Sequence, residues 1–263
     1  MTRIAKPEVQ RSRARKRSAI PVAQSSASPA APRTDRATSE CAFAVAGVDL
    51  VADPAGALYW PEQRLLAVAD LHLEKGSSFA ACGVLLPPYD TAATLARLAG
   101  LIDRYAPQVM VALGDSFHDG RGPGRLADTD RATLKHLQRG RDWIWIAGNH
   151  DPDPAEGIGG RSVATLARGA LTFRHAPSQA ARGEVAGHLH PIARVARRGR
   201  AVSRRCFACD GEQLVMPAFG AYAGGLNVRD RAFARVFRAL TFTAHMLGER
   251  RVYAVAARHC LPD

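Results

Sequence analysis

Nowhere in these 263 residues does an apolar run approach the roughly 18 consecutive positions that cross a bilayer, and the N-terminus lacks the apolar core of a secretory signal. Both absences point to a soluble, cytoplasmic protein. Cysteine is scarce and irregular: Cys41, Cys82, Cys206, Cys209 and Cys260 are an odd number scattered along the chain. That argues against a disulfide scaffold and fits a reducing compartment. Cys206 and Cys209 form a C-x-x-C without the second pair of a zinc site or the βαβ setting of a redox motif, so they read as structural or incidental. Aromatic residues make up only 6%. Near the most basic stretch Phe207 is the sole candidate for base stacking, so sequence-specific reading of nucleic acid is not indicated.

What is present in excess is positive charge, +12 overall, and half of it sits in one place. Residues 1–40 hold nine Lys or Arg against Glu8, Asp35 and Glu40, with a run at 23–32 rich in Ser, Ala and Pro and no sustained apolar period. This is expected to be a disordered basic leader, followed by one domain over 41–263. The remaining +6 suits a polyanionic partner without identifying one. An opening hairpin is expected, with strands over 45–51 and 57–60 joined by the turn residues Asp53-Pro54-Ala55-Gly56.

Three short apolar runs follow, and each stops at a residue able to bind a metal. Residues 65–69 end at Asp70, 109–113 at Gly114-Asp115, and 143–147 at Gly148-Asn149-His150-Asp151. Between them lie a loop rich in Gly, Ser and Pro, a helix-period stretch from Asp90 to Tyr105, and a second helix around Thr129 to Gln138. Strand alternating with helix predicts an α/β fold with buried strands, whose ligand sites gather beyond the strands' carboxyl ends. Beyond residue 160, strand-like pieces at 171–175, 184–186, 214–216 and 252–256 predict a second sheet packed on the first.

In chain order, Asp70-Leu71-His72, Gly114-Asp115, Gly148-Asn149-His150-Asp151, His175 and Gly187-His188-Leu189-His190 supply mixed nitrogen and oxygen donors. Such a set suits two divalent ions about 3.5–4 Å apart, which clamp a phosphoryl group and activate water. The D-x-H and H-x-H spacings would place both ligands on one side of an extended segment, with Leu71 and Leu189 facing elsewhere. Gly114, Gly148 and Gly187 would allow close backbone approach. Together these blocks resemble the calcineurin-like metallophosphoesterase superfamily. The resemblance implies two packed mixed β-sheets flanked by helices, a four-layer α/β/β/α sandwich. It also implies one ion on Asp70, His72 and His190, the other on Asn149, His175 and His188, and Asp115 bridging both. His150 would act on substrate, with Asp151 orienting its ring. His118 and Asp119 are expected beside the site without direct ligation; His136, His245 and His259 are expected to be structural.

Residues 113–119, Gly187–Pro191 with the Arg-rich stretch after it, and 217–226 are similar to the bacterial ligase-associated DNA damage response metallophosphoesterases, endonucleases of the PdeM type. That likeness spans roughly residues 44–240. It implies a Mn²⁺-favouring DNA phosphodiesterase, with Fe²⁺ or Zn²⁺ as other ions the ligands accept, and a ligase and helicase as partners. Arg194, Arg197, Arg198, Arg200, Arg204 and Arg205 would guide a polyanionic backbone to the metals. A small-molecule phosphodiesterase or pyrophosphatase of nucleotide or lipid-precursor type would use the same metal site, whereas a non-catalytic scaffold would have lost ligands that are all present here.

Overall fold

The computed structural model describes residues 1–2, 41–152, 157–238 and 240–263; the expected basic leader lies outside the described residues save for its first two positions. The first sheet runs in chain order through β1 (Cys41–Val45), β2 (Val48–Ala52), β3 (Leu58–Trp60), β4 (Leu65–Ala69), β5 (Val109–Leu113), β6 (Asp142–Ile146) and β7 (Arg161–Val163). Its first four strands pair antiparallel, and β4 to β7 pair in parallel. The opening hairpin is therefore one strand earlier than expected. It turns at Ala46-Gly47, both with positive φ, which matches the twist of a two-residue turn. The Asp53 turn does form, with the Asp53 carboxylate accepting from the Ala55 amide at 2.7 Å, and it joins β2 to β3.

Helix α1 (Lys75–Ala81) falls where only a loop was expected. It buries Gly76 alone, so it has no apolar period to read. Helix α2 (Asp90–Tyr105) has the predicted bounds, and α3 (Gly122–Arg125) and α4 (Asp128–Gln138) complete this layer. The second sheet comprises β8 (Leu166–Arg168), β9 (Leu171–Arg174), β10 (Glu184–Ala186), β11 (Pro191–Arg197), β12 (Arg200–Cys209), β13 (Gln213–Val215), β14 (Leu226–Asn227), β15 (Thr243–Leu247) and β16 (Val252–Ala256). Its order is β14-β11-β12-β13-β10-β9-β8, with β15 joined to β12 and β16 to β15. Helix α5 (Arg231–Val236) lies over its outer face.

Alternation along the strands builds three apolar layers. Ala67, Val111 and Ile144 meet Phe173, Val185 and Phe207 between the sheets. Leu66, Met110 and Trp145 meet Leu95, Leu98 and Leu134 of the helices. Ala193, Cys206 and Ala244 meet Phe233 and Phe237. Strand alternation also separates the C-x-x-C: Cys209 belongs to the inter-sheet core and Cys206 to the outer layer. Burial pushes the Cys206 thiol well above its ordinary range, in keeping with an inert structural residue.

Candidate metal centre

Each candidate ligand lies beyond the carboxyl end of a strand, the position that the apolar runs indicated for Asp70, Asp115 and Asn149. Asp70 follows β4, Asp115 follows β5, Asn149 follows β6, His175 follows β9, and His188 and His190 lie between β10 and β11. Parallel pairing of β4, β5 and β6 brings the first three ends together; β9 and β10 do the same for the histidines of the second sheet. The side chains converge as two triads, Asp70-His72-His190 and Asp115-His175-His188, each with donor atoms within 4.8 Å of one another. Asn149 joins the second, its Oδ1 lying 2.8 Å from His175 Nε2. The triads adjoin, because Asp70 Oδ1 lies 3.3 Å from His190 Nε2 and 3.7 Å from His175 Nδ1.

The local backbone differs from the extended segments expected for D-x-H and H-x-H. Asp70, His72, Asp115, His188 and His190 all have φ between 43° and 69°, the left-handed region that residues with side chains seldom occupy. Single left-handed residues turn the chain at each ligand, which aims both members of a pair inward; Leu71, between two of them, is buried in the helix-side core. Such conformations cost on the order of 1–3 kcal/mol each and persist where neighbours over-determine them. The neighbours are visible. His188 N donates to Asp70 Oδ2 at 3.0 Å, His150 N donates to Asp115 Oδ1 at 3.0 Å, and His72 N donates to Asp115 O at 2.9 Å. Glycine is required beside them: a Cβ on Gly148 would sit 2.1 Å from Asp115 N and 2.3 Å from its Oδ1, and one on Gly187 would sit 2.5 Å from Asp70 Oδ2.

The donor set fits divalent cations. Nε2 of His72 and Nε2 of His190 face each other at 3.3 Å, an arrangement that two protonated rings would not tolerate. Burial foremost, then the neighbouring His190, pushes His72 down to about 2, so its ring is neutral with a lone pair available. Its buried Nδ1 has no hydrogen-bond partner among the described residues. His175 Nδ1 lies 3.2 Å from the Leu113 carbonyl, to which it donates, leaving Nε2 for the centre. Burial, and then His175, lowers His188 as well.

His150 is half-exposed over the same centre, with Nε2 3.8 Å from Asp115 Oδ2. Asp151, expected to orient that ring, turns inward instead. Its Oδ2 accepts from the Phe117 amide at 2.9 Å, and burial raises its carboxyl to about 7 against the opposing pull of that amide. Asp151 thus braces the loop after β5. The His150 ring is stacked on His118, centroids 5.4 Å apart, and His118 stands edge-on to His72 at 5.8 Å. Asp119 points away to Arg125 at 2.8 Å; burial alone would raise its carboxyl, but the Arg125 guanidinium, Ser78 and the Arg121 amide hold it well below the usual range.

The arginines do not gather at the centre. Only Arg205 reaches its surroundings, donating to Ala218 O and Ala223 O at 2.9 Å. Arg194 donates to Pro262 O; Arg197, Arg200 and Arg204 fall on the opposite face of the β11–β12 hairpin from Arg205, because successive strand residues alternate faces, and Arg198 lies in the turn between the two strands. Three residues without a place in the expected site support it. Arg97 donates to Phe219 O and lies over that ring at 4.2 Å, Lys75 donates to Tyr222 O, and Gly220 packs so closely that a Cβ would meet Leu71 O at 2.3 Å. Segment 217–225 is thereby held against the Asp70–His72 loop. The only sequence signal for it was the run Pro217–Leu226, which marked a family likeness but no role.

The sequence profile described as calcineurin-like phosphoesterase matches residues 63–201, more than half of the chain and a span containing all seven candidate ligands. The chain belongs to the calcineurin-like phosphoesterase family. Its two mixed sheets and flanking helices are the sandwich of a metallophosphoesterase, and it is an enzyme of that class, built for divalent metal ions. Among solved structures, this calcineurin-like phosphoesterase is similar to a Pseudomonas putida nuclease MPE, at 26% identity over 82% of this chain and 100% of that one, with a TM-score of 0.63. The E. coli phosphoesterase Yfce aligns at 15% identity over 73% of this chain and 98% of that one, with a TM-score of 0.37. No protein among curated sequences matches the chain. Among the described residues, no helix is long and apolar enough to cross a membrane.

Proposed function

We propose that this enzyme is a dinuclear, Mn²⁺-favouring phosphodiesterase that cleaves DNA, in a repair setting with a DNA ligase and helicase. The observation that carries the proposal is the pair of adjoining triads in a chain that covers the whole of the nuclease MPE structure. Asp70, His72 and His190 would hold one ion, and Asn149, His175 and His188 the other, with Asp115 shared. Ions held there supply Lewis acidity, drawing charge from the phosphoryl oxygens and making water nucleophilic near neutral pH.

The chain's own groups do the rest. Amide donors to Asp70 and Asp115 fix both carboxylates before substrate arrives, so little reorganisation accompanies reaction. The Leu113 carbonyl fixes the His175 ring. His150 has its backbone amide committed to Asp115 and its half-exposed ring over the centre, placing an imidazole where it can donate to a phosphoryl oxygen or to the leaving oxygen.

The competing substrate class is a small nucleotide or lipid-precursor ester. With Mn²⁺ present, single-stranded DNA and bis-p-nitrophenyl phosphate are expected to be hydrolysed at least about tenfold faster than p-nitrophenyl phosphate, a difference of roughly 1.4 kcal/mol in barrier. Rapid monoester turnover with inert DNA would reject the nuclease reading in favour of the small-molecule one.

A further inference from the structure

Pairing of β12 with β15 stops at Cys206 and Met246, and beyond it the β11–β12 and β15–β16 hairpins line a trough of about 800 Å³. Val195, Val202, Met246 and Val255 are its apolar lining, and Val195, Met246 and Val255 also belong to the outer-face core. Its rim is basic: Arg197, Arg204, Arg250 and Arg251 line it against a single acid, Glu249. Arg200 stands opposite Arg197 in the strand register, on the same face. These guanidiniums do little for the fold. Arg204 donates only to the neighbouring Ser203 carbonyl, and Arg251 lies over the exposed Tyr253 ring at 4.8 Å.

We infer that this trough is a second nucleic-acid contact, gripping a single strand on the far side of the β11–β12 hairpin from the scissile phosphate. The inference rests on the nuclease reading above and extends it. Strand β11 starts directly after the ligand His190, and the trough begins five residues along it at Val195. At about 3.3 Å per residue the trough is roughly 16 Å from that ligand along the strand. That is too distant to hold the reacting phosphate and well placed for flanking nucleotides. Arginines around an apolar floor with one exposed ring suit a sugar-phosphate chain whose bases rest on side chains without being read. Other occupants fit less well. The leader of this chain, nine basic residues against three acidic, carries the trough's own sign, and a second copy would set arginines against arginines. An acidic amphipathic peptide would match the rim but has no reason to lie in line with the metal ligands.

The test is binding of a fluorescein-labelled 20-nucleotide single strand to the full chain, read by anisotropy across a salt series. The triple variant Arg197→Ala/Arg204→Ala/Arg251→Ala is compared with Lys135→Ala/Arg139→Ala/Arg182→Ala, which removes equal charge at exposed sites elsewhere. Loss of three phosphate contacts lowers the slope of log K against log salt by about 2 for a single strand. The expected result is at least about tenfold weaker binding for the trough variant only, with bis-p-nitrophenyl phosphate turnover unchanged because that diester is too short to reach the trough. Equal weakening in both variants, or none in either, overturns the inference and leaves the trough to an acidic protein partner. Failure of the parent protein to bind or cleave DNA while it hydrolyses the small diester rejects the nuclease reading itself, a separable outcome.

Discussion

Replacing Asp115 with Asn should remove most of the metal from both triads at once and lower phosphodiester turnover by more than about 100-fold, beyond what loss of an outer support of a ligand costs. The expectation follows from position. Asp115 Oδ1 lies 3.4 Å from His175 Nε2, and Oδ2 faces His150 at 3.8 Å, while the backbone carbonyl of Asp115 holds the His72 amide. The Asp115 side chain therefore belongs to the second triad, and its main chain anchors the loop of the first. Asn keeps the shape and the Oδ1 acceptor for the His150 amide, so the thermal midpoint of the metal-free protein should move little. Elemental analysis beside circular dichroism separates the two effects. Undiminished metal and activity in a folded Asp115→Asn protein would remove the shared carboxylate from the account.

His150→Ala should also lower turnover, about 10²- to 10⁴-fold, the range for a positioned acid or donor, but unlike Asp115→Asn it should leave metal content near that of the parent. The ring belongs to neither triad and is half-exposed. The hydrogen bond from the His150 amide to Asp115 is a backbone contact that alanine retains. A fall confined to kcat would mark an interaction made only in the transition state, whereas a rise in KM alone would mark simple substrate binding. Loss of metal in parallel with activity would move His150 into the ligand set.

The difference between these variants reflects how much of the centre could be read from the chain. Buried parallel strands are short apolar runs, and β4, β5 and α2 emerged with the predicted bounds because their neighbours punctuate them: Asp70 and Gly114 at strand ends, and Asp90 at a helix start. The candidate donors were legible for the same reason, since several polar blocks that each end a buried run form a joint pattern that no single Asp or His would make. Ligand conformation was not. The left-handed φ values at Asp70, His72 and His188 come from hydrogen bonds between loops far apart in sequence, which no local spacing encodes. Asp151 illustrates the same limit. Adjacent to His150 in the chain, it reaches the Phe117 amide 34 residues away because the strand order stacks the β5 and β6 loops. The arginines between 194 and 205 looked like one patch, yet strand alternation sends Arg205 to the 217–225 segment and Arg197 and Arg204 to the outer trough.

Metal stoichiometry of catalytically active protein bears most directly on the central claim that distant side chains assemble a two-ion centre. Mass-spectrometric elemental analysis should find close to two transition-metal ions per chain. A chelator should abolish phosphodiester hydrolysis, and added Mn²⁺ should restore it. Full activity with no bound transition metal, together with indifference to the chelator, would contradict the account.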